Sequence, residues 1–255
     1  MTQTAADLEG TFQRAWTLLV ANPIVVVPGL IVAAATVMIA FFVFALGLGG
    51  VALAGATGSS SAGLAALGIA VVTGIVLIVL AAIVQTAFVT SMAGAAWETG
   101  KTTFADGWTA LQRSIGEIFL AIVLLALVGI VAAVLAPFTI TISLWLYLIF
   151  FIYAMPSVII GGHPASRALS ESWRIAARNF WPTVGVAAIV VCVSLIAAVV
   201  GAELARIQPF VGTVTSAIVQ QAAVAYGTLV IVGEYLKLHA AEPPPAPTAA
   251  PPPTA

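Results

Sequence analysis

Six long apolar runs, at 24–53, 62–97, 118–136, 138–160, 183–201 and 211–232, alternate with short stretches that gather the polar residues. Each run is long enough for a helix to cross a hydrocarbon core, which takes about 20 residues. The runs are continuously apolar rather than alternating, which argues against a β-barrel. A helix also satisfies its own backbone where water is absent. The pattern therefore predicts an all-α integral membrane protein with six transmembrane helices in residues 1–241. The sequence GATGSSSAG separates the first pair, Pro137 alone the second, and AELARIQPF the third. The Pro137 turn is so tight that one kinked or re-entrant element is an alternative there. The second run exceeds the thickness of a bilayer, which predicts tilt or projection into water near Trp97.

The polar stretches share a spacing. In SRALSESWRIAARNFWPTVG, Leu169, Trp173, Ala176 and Phe180 fall at i, i+4, i+7 and i+11, one face of a helix. Arg167, Glu171, Arg174 and Arg178 take the same spacing on another face, which places Glu171 within reach of weak surface pairs. The spacing recurs as Phe104, Trp108, Leu111 and Ile115, with Asp106 and Arg113 off the stripe. Thr103 and Asp106 there resemble a capping box. It recurs again as Phe12, Trp16, Leu19 and Pro23. Six residues after each Trp stands a small polar residue: Asn22, Ser114 or Asn179. The chain thus reads as three units, about 6–97, 103–160 and 164–238, each a surface helix followed by two spans. Such a helix lies at the headgroup level with its Trp toward the acyl chains, Trp181 included. The plainer alternative is a set of elbows that pack against the bundle.

Composition agrees: 62% of residues are hydrophobic and 7% charged, with mean hydropathy +1.18. A soluble domain is about 25% charged. The net charge of −1 implies no bulk attraction to nucleic acid. Asp7, Glu9 and Arg14 leave no basic leader ahead of the first run, and that run is too long for a signal core, so no cleaved signal peptide is expected. Two spans between successive surface helices put all three on one side. That side holds Arg14, Lys101, Arg113, Arg167, Arg174, Arg178 and Lys237, against Arg206 on the other. The positive-inside rule then places both termini in the cytoplasm. The tail from Glu242, 242–255, is proline-rich and is expected to be a disordered, polyproline-like extension.

Candidate chemistry is sparse. Charged residues avoid the centres of the runs, where proton relays and ion pathways show themselves. Gln85, Gln220, Gln221 and Tyr226 fall inside and either line a polar path or hydrogen-bond between helices. His163 and His239 lie 76 residues apart with no carboxylate or cysteine cluster nearby in sequence, so no metal site is expected. Cys192 sits in an apolar run and reads as packing. Neither a nucleotide or dinucleotide fingerprint nor a nucleophile elbow occurs, so no cofactor is expected.

The run FIYAMPSVIIGGHPASRALSESWRIAARNFW resembles a motif of prokaryotic six-span proteins. These include the membrane domain joined to some glycerophosphoryl diester phosphodiesterases and stand-alone relatives of the YciC type. Gly161, Gly162, Ala168, Leu169, Ser172, Trp173, Phe180 and Trp181 carry the likeness, with a looser instance at 98–111. The resemblance implies a helical membrane protein of the prokaryotic cytoplasmic membrane. The hydrolase domain is absent, so no hydrolase activity carries over.

The leading expectation is a non-catalytic protein with a scaffold, lipid-interacting or regulatory role, having membrane lipids and a protein partner or a second copy as candidate contacts. The rival is a transporter or permease-like subunit for an uncharged or lipidic substrate. An enzyme would need Glu98, Glu117, His163 and Glu234 to converge on one pocket.

Overall fold

The computed structural model describes residues 5–57 and 60–240. The proline-rich tail and part of the Gly/Ser turn lie outside the described residues. The order is α1 (Ala5–Ala21), a 3-10 turn (Pro23–Val26), α2 (Val27–Thr57), α3 (Ser60–Thr99), α4 (Phe104–Leu135), α5 (Ile142–Phe151), α6 (Ala154–Ile159), α7 (Ala165–Arg178), α8 (Phe180–Ile207) and α9 (Pro209–Ala240). Among the described residues, six helical stretches are long and apolar enough to cross a membrane: Pro23–Ala52, Gly63–Thr99, Phe104–Leu135, Ile142–Ile159, Phe180–Ile207 and Val211–Ala240. The protein is an all-α, multi-pass integral membrane protein.

Local signals explain where the helices stop. α1 ends at Asn22-Pro23, where the Asn22 side chain donates to Leu18 O at 3.0 Å and Pro23 opens the next turn. α3 ends at Gly100, whose φ of +77° suits glycine and whose N–H reaches Ala96 O at 3.0 Å. Asp106 accepts from the Thr103 N–H at 2.7 Å, the return half of the expected capping box. α7 ends at Asn179, which repeats the role of Asn22 by donating to Ile175 O at 3.1 Å.

The second copy of the threefold pattern departs from the other two. α4 runs unbroken from Phe104 through the expected surface segment into the span. The physical reason is local: Asn22 and Asn179 are each followed by a proline within three residues, whereas Ser114 is followed by Ile115 and Gly116 and no helix breaker.

The Pro137 turn makes a hairpin rather than one kinked element. Ser143 donates to Ala132 O at 2.7 Å and Tyr147 to Leu125 O at 3.1 Å, so the partners recede along α4 as α5 advances. The returning span, Ile142–Ile159, has 18 residues and is broken between α5 and α6. The break frees backbone groups at Phe150 and Tyr153. Ser172 of α7, fully buried, closes both: its hydroxyl donates to Phe150 O at 2.8 Å and accepts from the Tyr153 N–H at 3.2 Å.

α9 is the hub, packing on α1, α2, α3, α6 and α8. The buried core collects Phe88, Met92, Ile118, Val158, Val186, Leu229 and Val230, near the end where α1, the α3–α4 loop, α7 and the last turns of α9 meet. Towards the other end, Phe41, Phe42, Leu64, Ile69 and Ile75 are exposed, as lipid-facing side chains are. Asn22 ties the core end together, donating to Gly100 O at 3.1 Å and accepting from the Thr102 N–H at 3.1 Å. Asn22→Ala leaves the buried Thr102 N–H unpaired and is expected to destabilise the fold by about 1–3 kcal/mol. Denaturation in mixed micelles checks this, with Thr17→Ala, at an exposed site on α1, as the neutral comparison.

Candidate functional site

The functional candidates gather at the core end. α7 turns a face of small residues inward: Ala165, Ala168, Ser172, Ile175 and Ala176 are buried. Glu171 lies on that face and is 4% exposed, which corrects its expected place beside the arginines. The reason is spacing: Glu171 follows Ala168 by three residues and precedes Ile175 by four, so it shares their face. Its carboxylate accepts from the Ser157 hydroxyl in a short contact. His163 Nδ1 lies 3.2 Å from Oε2, and His239 Nδ1 3.1 Å from Oε1. Tyr235 stacks on the His239 ring at 5.5 Å. The two histidines, distant in sequence, thus meet on one carboxylate. Each imidazole addresses a separate oxygen, and among the described residues no group of three His, Cys, Asp or Glu side chains could hold a metal ion.

A second buried acid faces the opposite flank of α9. Glu234 is fully buried, accepts from Thr11 of α1 at 3.1 Å, and lies 4.0 Å from Lys237 Nζ. Above it opens a cleft of about 440 Å³, lined by Gly10, Thr11, Arg14, Trp97, Gly233, Leu236 and Lys237. Trp97 donates its indole N–H to Leu229 O at 2.8 Å and lies against the bare Cα of Gly233. Arg14 sits 4.7 Å above the Trp97 ring and donates to Trp97 O at 3.0 Å.

α4 supplies end-caps to its neighbours. Glu117 accepts from the Ala165 N–H at the start of α7 at 2.8 Å, a carboxylate at a helix N-terminus. Arg113 donates to Ile159 O at the end of α6 at 3.3 Å. Glu98, Asp106 and Arg113 border another cleft of about 370 Å³. Of the four groups an enzyme reading required, Glu117 caps α7, His163 lies beside Glu171, Glu234 accepts from Thr11, and Glu98 borders the second cleft.

The expected boundary aromatics are found in varied settings. Trp16 is 60% exposed and meets Tyr226 edge-on at 6.2 Å. Phe12 is half-buried, and its carbonyl lies 3.5 Å from the Tyr226 hydroxyl. Phe104 packs on Phe88 at 4.6 Å, with Trp108 outside it at 6.4 Å. Trp173 stacks on Phe150 at 4.0 Å, whereas Trp181 is 78% exposed. Leu169 is half-buried, and Arg167, Arg174 and Arg178 are exposed.

Of the suggested polar path, Gln85 donates to Gln221 at 2.9 Å, and Gly29 of α2 admits the Gln221 amide closely. Gln220 is half-buried beside Gln221. Tyr226 instead borders an apolar groove of about 400 Å³ between α1, α8 and α9, with Trp16, Leu19, Ile196, Ala222 and Ala223.

No protein-family model matches the chain, and neither curated proteins nor solved structures yield a match.

Removing the Glu171 carboxylate leaves the buried Ser157 hydroxyl without its acceptor, and an unsatisfied buried polar group costs about 1–3 kcal/mol. Glu171→Ala is expected to lower the thermal midpoint in detergent well beyond Ser170→Ala, a neighbouring exposed change. Equal midpoints would show that the cluster does not hold α7.

Proposed function

We propose that this chain is a non-catalytic, lipid-interacting protein of a prokaryotic cytoplasmic membrane, with a scaffold or regulatory role. The observation that carries the reading is the groove beside α1, whose walls are apolar from Leu19 to Val200 and whose rim holds Trp16 and Tyr226. A groove of that lining at the level of a Trp accepts an acyl chain rather than a hydrated solute. The Gln85–Gln221 hydrogen bond supports the same choice, since those amides satisfy each other between α3 and α9. The likeness to six-span prokaryotic proteins belongs to this proposal, as does the orientation. Both termini face the cytoplasm, by the weight of seven basic residues against one.

Filling the groove tests the role. Ala222→Phe is expected to keep the fold and to co-purify with severalfold less phospholipid in mild detergent, read by mass spectrometry. Saturable solute flux through proteoliposomes of the wild type would replace this reading with the transporter.

Cysteine labelling tests the orientation. In a Cys192→Ser background, Lys101→Cys is expected to react with an impermeant maleimide only after cells are opened, and Glu203→Cys in intact cells. The reverse pattern inverts the assignment.

A further inference from the structure

We propose that the outer half of α9 is a contact surface for a second copy of this chain, in which the Gln220 amides of the two copies pair with each other across a twofold axis. The pairing goes beyond the lipid-interacting reading and does not depend on it, since the lipid groove uses Val219, Ala222, Ala223 and Tyr226, another face of α9.

Gln220 stands inside the apolar stretch Val211–Ala240. Gly212, which abuts Leu204 and Ala205, marks the outer turn between α8 and α9. Gln220 follows Gly212 by eight residues, roughly 12 Å along a helix, and precedes Lys237 by seventeen, roughly 26 Å. A hydrocarbon core is about 30 Å thick, so the side chain lies well inside it from either surface. Among the described residues nothing pairs with the Gln220 amide, neither a side chain nor a backbone group. The residue is half-buried, and its amide atoms remain accessible at the surface of the bundle. An amide left unpaired at that depth is costly, because nothing in hydrocarbon replaces its hydrogen bonds to water.

A second copy supplies the missing partner. A primary amide carries both donors and an acceptor, so two amides related by a twofold axis each donate and accept. The chain makes the same bond internally, where Gln85 donates to Gln221 at 2.9 Å. The surrounding face fits close approach. Thr213, Ala217, Gln220 and Val224 fall at i, i+4, i+7 and i+11, and the side chains beside Gln220 are small enough to let a partner helix come near. The exposed apolar residues Val211, Val214 and Ile218 lie elsewhere on α9 and suit acyl chains. No charged residue occurs between Pro209 and Gly233, so two copies meet along this stretch without like-charge repulsion. A lipid does not meet the need, because acyl chains carry no hydrogen-bonding group and the polar parts of a lipid lie at the surface, roughly 12 Å away. No row of free amides leads to Gln220 either, since Gln85 and Gln221 satisfy each other.

Cross-linking of the full chain in its own membrane reads the contact. In a Cys192→Ser background, Ala217→Cys and Val224→Cys, on either side of Gln220, are expected to give a disulfide-linked dimer on mild oxidation, because a disulfide needs Cα atoms within about 7 Å. Ile218→Cys, on the lipid side, is expected to stay monomeric. Energy transfer between labelled copies in proteoliposomes, followed as lipid dilutes the protein, measures the association itself. Gln220→Leu, which removes the amide at similar size, is expected to weaken it about fivefold, the effect of one hydrogen bond between membrane helices. Gln220→Asn, which keeps an amide, is expected to recover part of the loss. The thermal midpoint of the Gln220→Leu monomer is expected to equal or exceed that of wild type, which separates lost association from lost folding. Association of Gln220→Leu equal to wild type, or no cross-link at either Ala217→Cys or Val224→Cys, overturns the surface. Reaction of Gln220→Cys with an impermeant maleimide in opened cells as fast as Glu203→Cys also overturns it, and puts a water-filled path in its place. The groove-filling Ala222→Phe is expected to associate like wild type. If it loses lipid while Gln220→Leu associates unchanged, the lipid-interacting reading stands and this surface falls.

Discussion

Lipid tails solvate an apolar helix about as well as another apolar helix does, so burying hydrophobic surface cannot by itself hold this bundle together. Cohesion must come from close backbone approach and from polar groups that have no better partner. The polar ties gather at one end, while close approach also occurs at the other, where Gly50 meets Ala66 and Gly201 meets Ser216. Gly107 admits Phe88, Gly233 admits Trp97, and Asn22, Ser172, Glu117 and Arg113 each satisfy backbone groups of another element. The far halves of α2 and α3 carry long exposed apolar side chains, and there the bilayer itself is the neighbour.

The end of α9 concentrates that cohesion further. Glu234 faces α1, and Tyr235 and His239 face the α6–α7 side. Successive helical residues point about 100° apart, so one short segment holds the first helix of the chain on one flank and the arginine-bearing helix on the other. Rotation of that segment cannot relax one contact without straining the other. The two buried acids are therefore parts of one mechanical unit, although they lie in separate chemical settings.

Much of this was legible in the chain. The six runs marked the spans, and Asn-Pro and Gly100 marked where helices end, because capping and proline chemistry are local. The same local rule explains the miss at α4: the stripe of Phe104 and Trp108 resembled the other two copies, but nothing after Ser114 breaks a helix. Glu171 was misplaced for a different reason. A charge at arginine spacing reads as a surface pair, and its burial depends on His163 and His239 arriving from distant turns. The signal that was present is the small-residue face around it, Ala165, Ala168, Ser172 and Ala176, which marks close packing. The role of Trp97 was hidden in the same way, since its partners Arg14, Leu229 and Gly233 come from both ends of the chain.

The position of the charged groups follows from the energetics of the solvent. A charged side chain at the bilayer centre costs about 2.5–3.5 kcal/mol even on the mildest scale. Arg206, at the far end, stands 2.6 Å from Glu203, so that end presents a locally balanced pair. At the core end the carboxylates of Glu171 and Glu234 are turned inward, while Arg167, Arg174 and Arg178 remain outward. The total charge of −1 conceals this arrangement. Glu9, Glu98 and Glu117 stay exposed beside those arginines, so only the two acids that tie α7 and α1 to their neighbours are turned inward, and these buried carboxylates are the feature that distinguishes this end of the bundle.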